Sequence, residues 1–144
     1  MRVDLFLSML IGSVLCVRVA CAEIPLAYHK IANDYQIPVD VFYAVMLQES
    51  GKTTDRKYLP WPWVLNVELK AYYFSSKEQA SIALRQFLAV NENARIAVGL
   101  GQIYLPSHGK YFDDKTQLLE PGVNLEHAAR ILATEFQWTL KQSK

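Results

Sequence analysis

Four stretches of the chain carry apolar residues at the three- and four-residue spacing that is typical of a helix. They span residues 24–35, 38–50, 76–90 and 124–136. Pro25 and Pro38 stand at the start of the first two stretches, where the missing N–H of proline costs no hydrogen bond. Gly51 follows the second stretch and is a stop signal. The pattern therefore predicts four helices, the second ending near Ser50.

The second predicted helix is apolar on almost every face. Its apolar positions are Val41, Phe42, Ala44, Val45, Met46 and Leu47. A helix without a polar face is expected inside a core. We therefore expect this helix to be buried and to reach the surface at its end, beside Glu49.

The third and last predicted helices carry capping signals and one apolar face each. Ser75 followed by Glu78 fits a capping box, and Asn124 fits the N-cap of the last helix. The apolar faces consist of Ala80, Ala83, Leu84, Phe87 and Leu88 in the third helix, and of Leu125, Ala128, Ala129, Leu132 and Phe136 in the last. Both helices are expected to pack that face on the core.

The segments between the helices predict few strands. Residues 63–67 and 71–74 favour strands on either side of a turn, which predicts a β-hairpin, whereas residues 52–60 are polar and irregular. Gly99-Leu100-Gly101-Gln102 predicts a short turn, or one or two helical turns that Pro106 would end. The expected fold class is mainly α, a small helical domain with an inserted β-hairpin.

The N-terminal residues have the pattern of an export signal. Arg2 precedes an apolar run over residues 5–17, and Ala20-Cys21-Ala22 fits a cleavage site. We predict that residues 1–22 are a signal peptide cleaved after Ala22, which implies a periplasmic protein with no membrane insertion after signal removal. An uncleaved anchor and a lipid-modified Cys21 are the alternatives.

Composition and charge narrow the possible functions. With 144 residues, 51% hydrophobic and 20% charged, the chain is expected to form one domain over residues 23–144. The net charge of +1 gives no basis for nucleic-acid binding. Both cysteines, Cys16 and Cys21, lie in the predicted signal peptide. We therefore expect no disulfide, thiolate nucleophile or cysteine-ligated zinc in the mature chain that remains after signal cleavage.

Glu49 is the strongest candidate for chemistry. It follows an apolar run at the end of the second predicted helix, so its surroundings are expected to be partly apolar. Such surroundings favour the protonated form of a carboxylic acid, which can then donate a proton to a glycosidic oxygen. On position alone, an ordinary solvated glutamate is an equally good interpretation.

Three blocks of sequence stand out, namely Ala44-Val45-Met46-Leu47-Gln48-Glu49-Ser50, Gly99-Leu100-Gly101-Gln102, and Glu120-Pro121-Gly122-Val123-Asn124-Leu125 with Ala128-Ala129 and Leu132. In this order they resemble the soluble lytic transglycosylase family, which is related in fold to goose-type lysozyme. They resemble the family's helix ending in Glu-Ser, its Gly-Leu-Met-Gln segment and its Asp-Pro-x-x-Asn segment. The resemblance covers nearly all of residues 23–144 and implies an α+β, lysozyme-like fold.

The resemblance implies a peptidoglycan lytic transglycosylase that needs no cofactor or metal. Glu49 would be the catalytic acid, and Gln102 would line the sugar groove. The implied reaction cleaves the bond between N-acetylmuramic acid and N-acetylglucosamine and leaves 1,6-anhydromuramic ends. We add two substrate-binding candidates, Tyr104 as a stacking or hydrogen-bonding residue and Ser50 as a residue that orients Glu49. Core packing and helix capping are their respective alternatives.

The segment Trp61-Pro62-Trp63 resembles an insertion in transglycosylases of integrating conjugative elements. This implies peptidoglycan glycan strands as substrate and a conjugation or secretion complex as partner. The two tryptophans themselves fit either a sugar platform or packing of the hairpin. His29, His108 and His127 are scattered in sequence and predict no metal site.

Two departures from the family pattern keep other functions open. Gly101 replaces the usual methionine, which would remove an apolar side chain from the groove wall and loosen the backbone beside Gln102. The family also usually continues past the last helix to another helix with a Tyr-Asn segment, whereas this sequence ends at Lys144, soon after Trp138. A wall of the cleft would then be missing, and a tyrosine elsewhere in the chain would have to substitute for it. The alternatives are a weak or inactive relative that binds or scaffolds peptidoglycan, and a hydrolytic lysozyme.

Overall fold

A computed structural model of the chain describes the backbone of residues 23–142 and the side chains up to residue 137. The predicted signal peptide, residues 1–22, and the side chain of Trp138 lie outside the described part. The helices are α1 (Leu26–Asp34), α2 (Val39–Ser50), α3 (Lys77–Val90), α4 (Leu105–His108) and α5 (Pro121–Gln142). The strands are β1 (Gly51–Thr54), β2 (Lys57–Pro60), β3 (Val64–Val67), β4 (Lys70–Tyr73), β5 (Ile96–Val98) and β6 (Ile103–Tyr104).

The expected mainly α fold class is wrong, because the six strands form two antiparallel sheets and the domain is mixed α+β. One sheet is the hairpin β1–β2, and the other has the strand order β4-β3-β5-β6. The predicted hairpin is confirmed as β3–β4, but it is not a separate insertion, because β3 also pairs with β5. The hairpin is therefore an integral part of the main sheet.

The core lies between one face of the four-stranded sheet and helices α1, α2, α3 and α5. Leu65 on β3, Ile96 and Val98 on β5, and Ile103 on β6 are buried on the inner face of the sheet. Alternate residues of these strands face outward, as the two-residue period of a strand requires. The outward face of the sheet therefore forms part of the protein surface.

Helix α2 begins and ends as predicted but is not buried on all faces. Pro38 precedes it and Gly51 follows it. Only Phe42, Met46 and Ser50 are buried, one residue per turn at a spacing of four. The prediction of a fully buried helix is therefore wrong: one stripe faces the core and the other apolar residues are half-buried or exposed.

The starts of the last two helices also differ from the prediction. The sequence places Pro106 at the end of any helix near it, but Pro106 lies in the first turn of α4, where proline is tolerated. Helix α5 begins at Pro121, three residues before the predicted cap Asn124. In the described part of the chain, no helix is both long and apolar enough to cross a membrane.

Candidate active site

Glu49 lies in the last turn of α2, and its side chain is exposed. It is adjacent to the buried stripe of α2 but not on it. Its carboxylate forms no ion pair or hydrogen bond with the described part of the chain. The Glu49 carboxylate is therefore accessible to a ligand.

Ser50 anchors the end of the same helix. Its side chain is fully buried, and its Oγ donates to the Met46 carbonyl oxygen at 2.9 Å. Its own carbonyl accepts from the Trp61 backbone N–H at 3.0 Å. In this conformation the hydroxyl has no surface on which to meet a sugar, and its contacts hold the backbone beside Glu49 in place.

The second sequence block, Gly99 to Gln102, is the turn that joins β5 to β6. Gly99 has a φ of 76°, and a Cβ at this position would lie 2.3 Å from Asn124 Nδ2, so the turn needs glycine there. Gln102 also has a positive φ, 46°, which is uncommon for a residue with a side chain. The turn thus carries backbone strain at the residue predicted to line the groove.

The side chain of Gln102 is half-buried and its amide is oriented by the turn. Nε2 donates to the Gly99 carbonyl oxygen at 2.9 Å, which only the nitrogen end of the amide can do. The amide oxygen makes no hydrogen bond to the described residues. A fixed carbonyl oxygen of this kind can accept from a hydroxyl or an amide N–H of a ligand.

The three sequence blocks meet at Gly101. A Cβ built on Gly101 would lie 2.6 Å from the Ala128 Cβ, 3.4 Å from the Asn124 Oδ1 and 3.4 Å from the Met46 Sδ. Met46 is one turn before Ser50 on α2, and both Asn124 and Ala128 are on α5. The Gly99–Gln102 turn therefore packs directly between the two helices that carry the other blocks.

The expected effect of Gly101 is not what the structure shows. The missing side chain would point into α5 rather than form a groove wall, since Ala128 occupies that space. The backbone is not loosened either, because the Gly101 N–H donates to the Asn124 Oδ1 at 2.7 Å. Glycine at this position permits close packing of the turn.

Asn124 is the buried polar residue that holds the turn, and the prediction that it caps α5 is wrong. Its backbone N–H donates to the carbonyl oxygen of Glu120, the residue before α5, so Asn124 lies inside the first turn of the helix. Its side chain is 1% exposed, and Nδ2 donates to the carbonyl oxygens of Val98 and Leu118 at 2.8 Å each. With the bond to Gly101, this amide uses three hydrogen bonds to tie β5, the turn and α5 together.

Tyr104 lies on the outward face of the main sheet rather than in the core. It pairs with Ala97 on β5, which in turn pairs with Asn66 on β3. With Leu69 and Arg95, these residues line a cavity of about 310 Å³. Neither Glu49 nor Gln102 lines this cavity, so the structure does not bring Tyr104 together with the other predicted site residues there.

The hairpin β1–β2, which the sequence does not predict, lies against the end of α2.

Aromatic side chains pack beside the end of α2. Tyr73 on β4 donates from its hydroxyl to the Gly51 carbonyl oxygen at 3.3 Å. Trp61 donates from Nε1 to the Phe74 carbonyl oxygen at 2.8 Å and meets Trp63 edge-on at 6.0 Å between ring centroids. These contacts favour the packing interpretation of the two tryptophans.

Two of the three histidines, which look scattered in sequence, lie together. His127 Nε2 is 3.2 Å from His108 Nδ1, and both line a cavity of about 330 Å³ with Tyr111 and Arg130. Burial, and then the charges of His108 and Arg130, lower the pKa of His127 below its ordinary value of 6.5. Within residues 23–142, no three potential metal ligands form a group.

Comparison of the chain with protein-family models, with curated proteins and with solved structures gave no match.

Proposed function

We propose that the protein is a peptidoglycan lytic transglycosylase in which Glu49 acts first as an acid and then as a base. The observation that carries the proposal is the meeting of the three sequence blocks around Gly101. Met46 and Ala128, which are far apart in sequence, both lie against a glycine-rich turn that packs between the helix carrying Glu49 and the helix carrying Asn124. The arrangement supports a shared role for the three blocks.

The accessible carboxyl of Glu49 supports the first step. In the proposed reaction, protonated Glu49 donates its proton to the oxygen that links N-acetylmuramic acid to N-acetylglucosamine, and the bond from that oxygen to the anomeric carbon breaks. The acetamido oxygen of the muramoyl residue stabilises the developing positive charge. The released N-acetylglucosamine end takes up the proton as a hydroxyl.

The second step uses the carboxylate that remains. Glu49 removes the proton from the muramoyl 6-hydroxyl, and that oxygen bonds to the anomeric carbon to close the 1,6-anhydro ring. The carboxyl is then protonated again, and no water is consumed. This route needs only one carboxyl group, that of Glu49.

Gln102 is proposed to position the sugar. Its Oε1 is the free end of an amide that the turn holds in one orientation. This oxygen can accept from an acetamido N–H or a sugar hydroxyl. The proposal assigns no sugar contact to Ser50, because its hydroxyl is buried.

The biological setting belongs to the proposal as well. An exported enzyme of this class would open peptidoglycan locally, and the Trp61-Pro62-Trp63 segment supports a link to a conjugation or secretion apparatus through the resemblance alone. In this proposal the protein is exported, its signal is cleaved after Ala22, and the enzyme acts in the periplasm.

The product identifies the reaction. Purified protein is incubated with sacculi, and the soluble fragments are analysed by mass spectrometry. A transglycosylase gives anhydromuramoyl ends, whereas a hydrolytic lysozyme gives reducing ends that are heavier by one water. Sedimentation with sacculi without soluble fragments would instead identify a binding or scaffolding protein.

A further inference from the structure

Lys52 on β1 lies three residues after Glu49, and two aromatic rings hold its side chain. Its Nζ is 4.1 Å from the centroid of the Trp61 ring and 5.7 Å from that of Tyr73. Both distances fall within the range of a cation–π interaction. The side chain is half-buried, so this ammonium group is less free to move than one on an open surface.

The two rings are attached to the backbone at the end of α2. The Trp61 backbone N–H donates to the Ser50 carbonyl oxygen, and the Tyr73 hydroxyl donates to the Gly51 carbonyl oxygen. Ser50 is itself fully buried and bonded to Met46. The position of the ammonium group is therefore tied to the helix end that carries Glu49.

Within the described residues, Lys52 forms no ion pair with an acidic side chain. In the described part of the chain, the four ion pairs use Lys30, Lys77, Arg85 and Arg95 as cations. Lys52 and Glu49 do not pair with each other, although they are close in sequence. A fixed, unpaired cation is suited to binding an anionic group.

We propose that Lys52 binds a carboxylate of the glycan strand that occupies the site of Glu49. This inference rests on the proposed function, which makes peptidoglycan the substrate. Its carboxylates come from two sources, the stem peptides and the lactyl groups of muramoyl residues without peptide. Lys52 would thus distinguish muramoyl glycan from uncharged polymers of N-acetylglucosamine.

Binding is measured in the Glu49→Gln background, so that the polymer is not cut during the assay. The fraction of protein that sediments with purified sacculi is titrated for this parent and for the added substitutions Lys52→Gln, Lys52→Arg and Lys57→Gln. Lys57 is the matched control, because it is an exposed cation of the same hairpin. The same titration is made with sacculi whose carboxylates are capped with glycinamide.

We expect Lys52→Gln to weaken binding to native sacculi by about threefold to tenfold at low salt, as for a partly desolvated ion pair. Lys52→Arg should retain binding, since a guanidinium also stacks on aromatic rings. Lys57→Gln should bind within twofold of the parent. On capped sacculi the difference between the parent and Lys52→Gln should disappear.

A further arm separates the two sources of carboxylate. An amidase hydrolyses the amide between the lactyl group and the stem peptide, which releases soluble glycan strands that carry lactyl carboxylates and no peptide. These strands are added as competitors to the sedimentation assay with native sacculi. If they compete less well for Lys52→Gln than for the parent, the ligand is the lactyl group. If they compete equally for both, the ligand is the stem peptide; both results agree with the inference.

The inference is overturned if Lys52→Gln binds native sacculi as tightly as its parent, or if its defect is equal on capped sacculi. Circular dichroism of each variant checks that a defect is not due to unfolding. If the wild-type protein releases anhydro products while Lys52→Gln binds normally, only this inference fails. If no products form but binding depends on Lys52, only the proposed catalysis fails.

Discussion

Gly101 and Asn124 show how single residues bring the candidate site together. The turn after β5 packs against α5 closely enough to exclude a side chain at Gly101, and the buried amide of Asn124 bonds the backbone on both sides of that contact. Sequence reasoning selects both positions but gives each the wrong role. A missing side chain and a helix cap are local interpretations, whereas Gly101 and Asn124 bond to each other across 23 positions of the sequence.

Replacing Gly101 with alanine should destabilise the protein by about 1–3 kcal/mol, the usual range for forcing an extra carbon into a packed site. Gly122→Ala is the matched control, because a Cβ there meets no atom within 4 Å and alanine is the better helix former. Urea unfolding measures both. Equal effects of the two substitutions would show that Gly101 does not pack as described.

Asn124→Ala should destabilise the protein by about 2–4 kcal/mol, since it removes three hydrogen bonds and leaves buried backbone groups unpaired. Asn93→Ala, at an exposed position, serves as the control and should change the free energy of unfolding by less than about 0.5 kcal/mol. Urea titration of both variants measures how much the hydrogen bonds of Asn124 stabilise the fold. If Asn124→Ala lowers the free energy of unfolding by less than about 1 kcal/mol, these bonds do not have the stabilising role described.

At the scale of the elements, helices with strong local signals are predictable and short strands are not. Helices α1, α2 and α3 and the hairpin β3–β4 are confirmed, because proline, glycine, serine and apolar spacing act within each segment. The hairpin β1–β2 was missed, since its strands are polar and its turn, Asp55-Arg56, takes positive φ angles without glycine. Strands β5 and β6, with three and two residues, are too short to show a period.

The start of α3 is one residue later than the predicted capping box. Ser76 is the N-cap and accepts from the Gln79 backbone N–H, while Ser75 contacts the Gln79 side chain. Ser76→Ala should therefore cost about 1 kcal/mol of stability, the typical value of a lost cap, and Ser75→Ala should cost less. Thermal unfolding of the two variants compares them under identical conditions. The reverse order would restore Ser75 as the cap.

At the scale of the whole molecule, the sequence contains the parts of the candidate site but not their arrangement. Glu49, Gln102 and Asn124 are marked by motifs, and a tertiary contact at Gly101 brings the segments together. Tyr104 lies on the outward face of the sheet because of its position in strand β6. This strand has only two residues, so no sequence pattern predicts the side on which Tyr104 lies. The pair of His108 and His127 likewise depends on the packing of α4 and α5.

This histidine pair predicts a pH dependence of global stability. Because the pKa of His127 is lowered in the fold, the unfolded chain binds more protons than the folded one below about 6.5. Stability is therefore full above pH 6.5 and is lost as the pH falls through 6.5 towards the lowered pKa. The free energy of unfolding, measured between pH 8 and 5, should fall on acidification.

His127→Gln should reduce this fall, because glutamine does not titrate. His29→Gln is the control, since His29 is exposed. The facing groups of His108, Arg130 and Tyr111 are retained in both variants. A pH profile of His127→Gln that overlays the wild-type profile would contradict the prediction.

The most direct test of the central claim is the release of 1,6-anhydromuropeptides from sacculi by the wild-type protein, Glu49→Gln and Gln48→Ala, quantified by mass spectrometry. Gln48 is the exposed neighbour of Glu49 on the same helix and controls for changes in folding and surface. We expect anhydro products from the wild type and from Gln48→Ala at similar rates, and a loss of at least about 100-fold in Glu49→Gln, the scale of removing a general acid. Equal release by Glu49→Gln and the wild type, or no anhydro product from the wild type, would contradict the account.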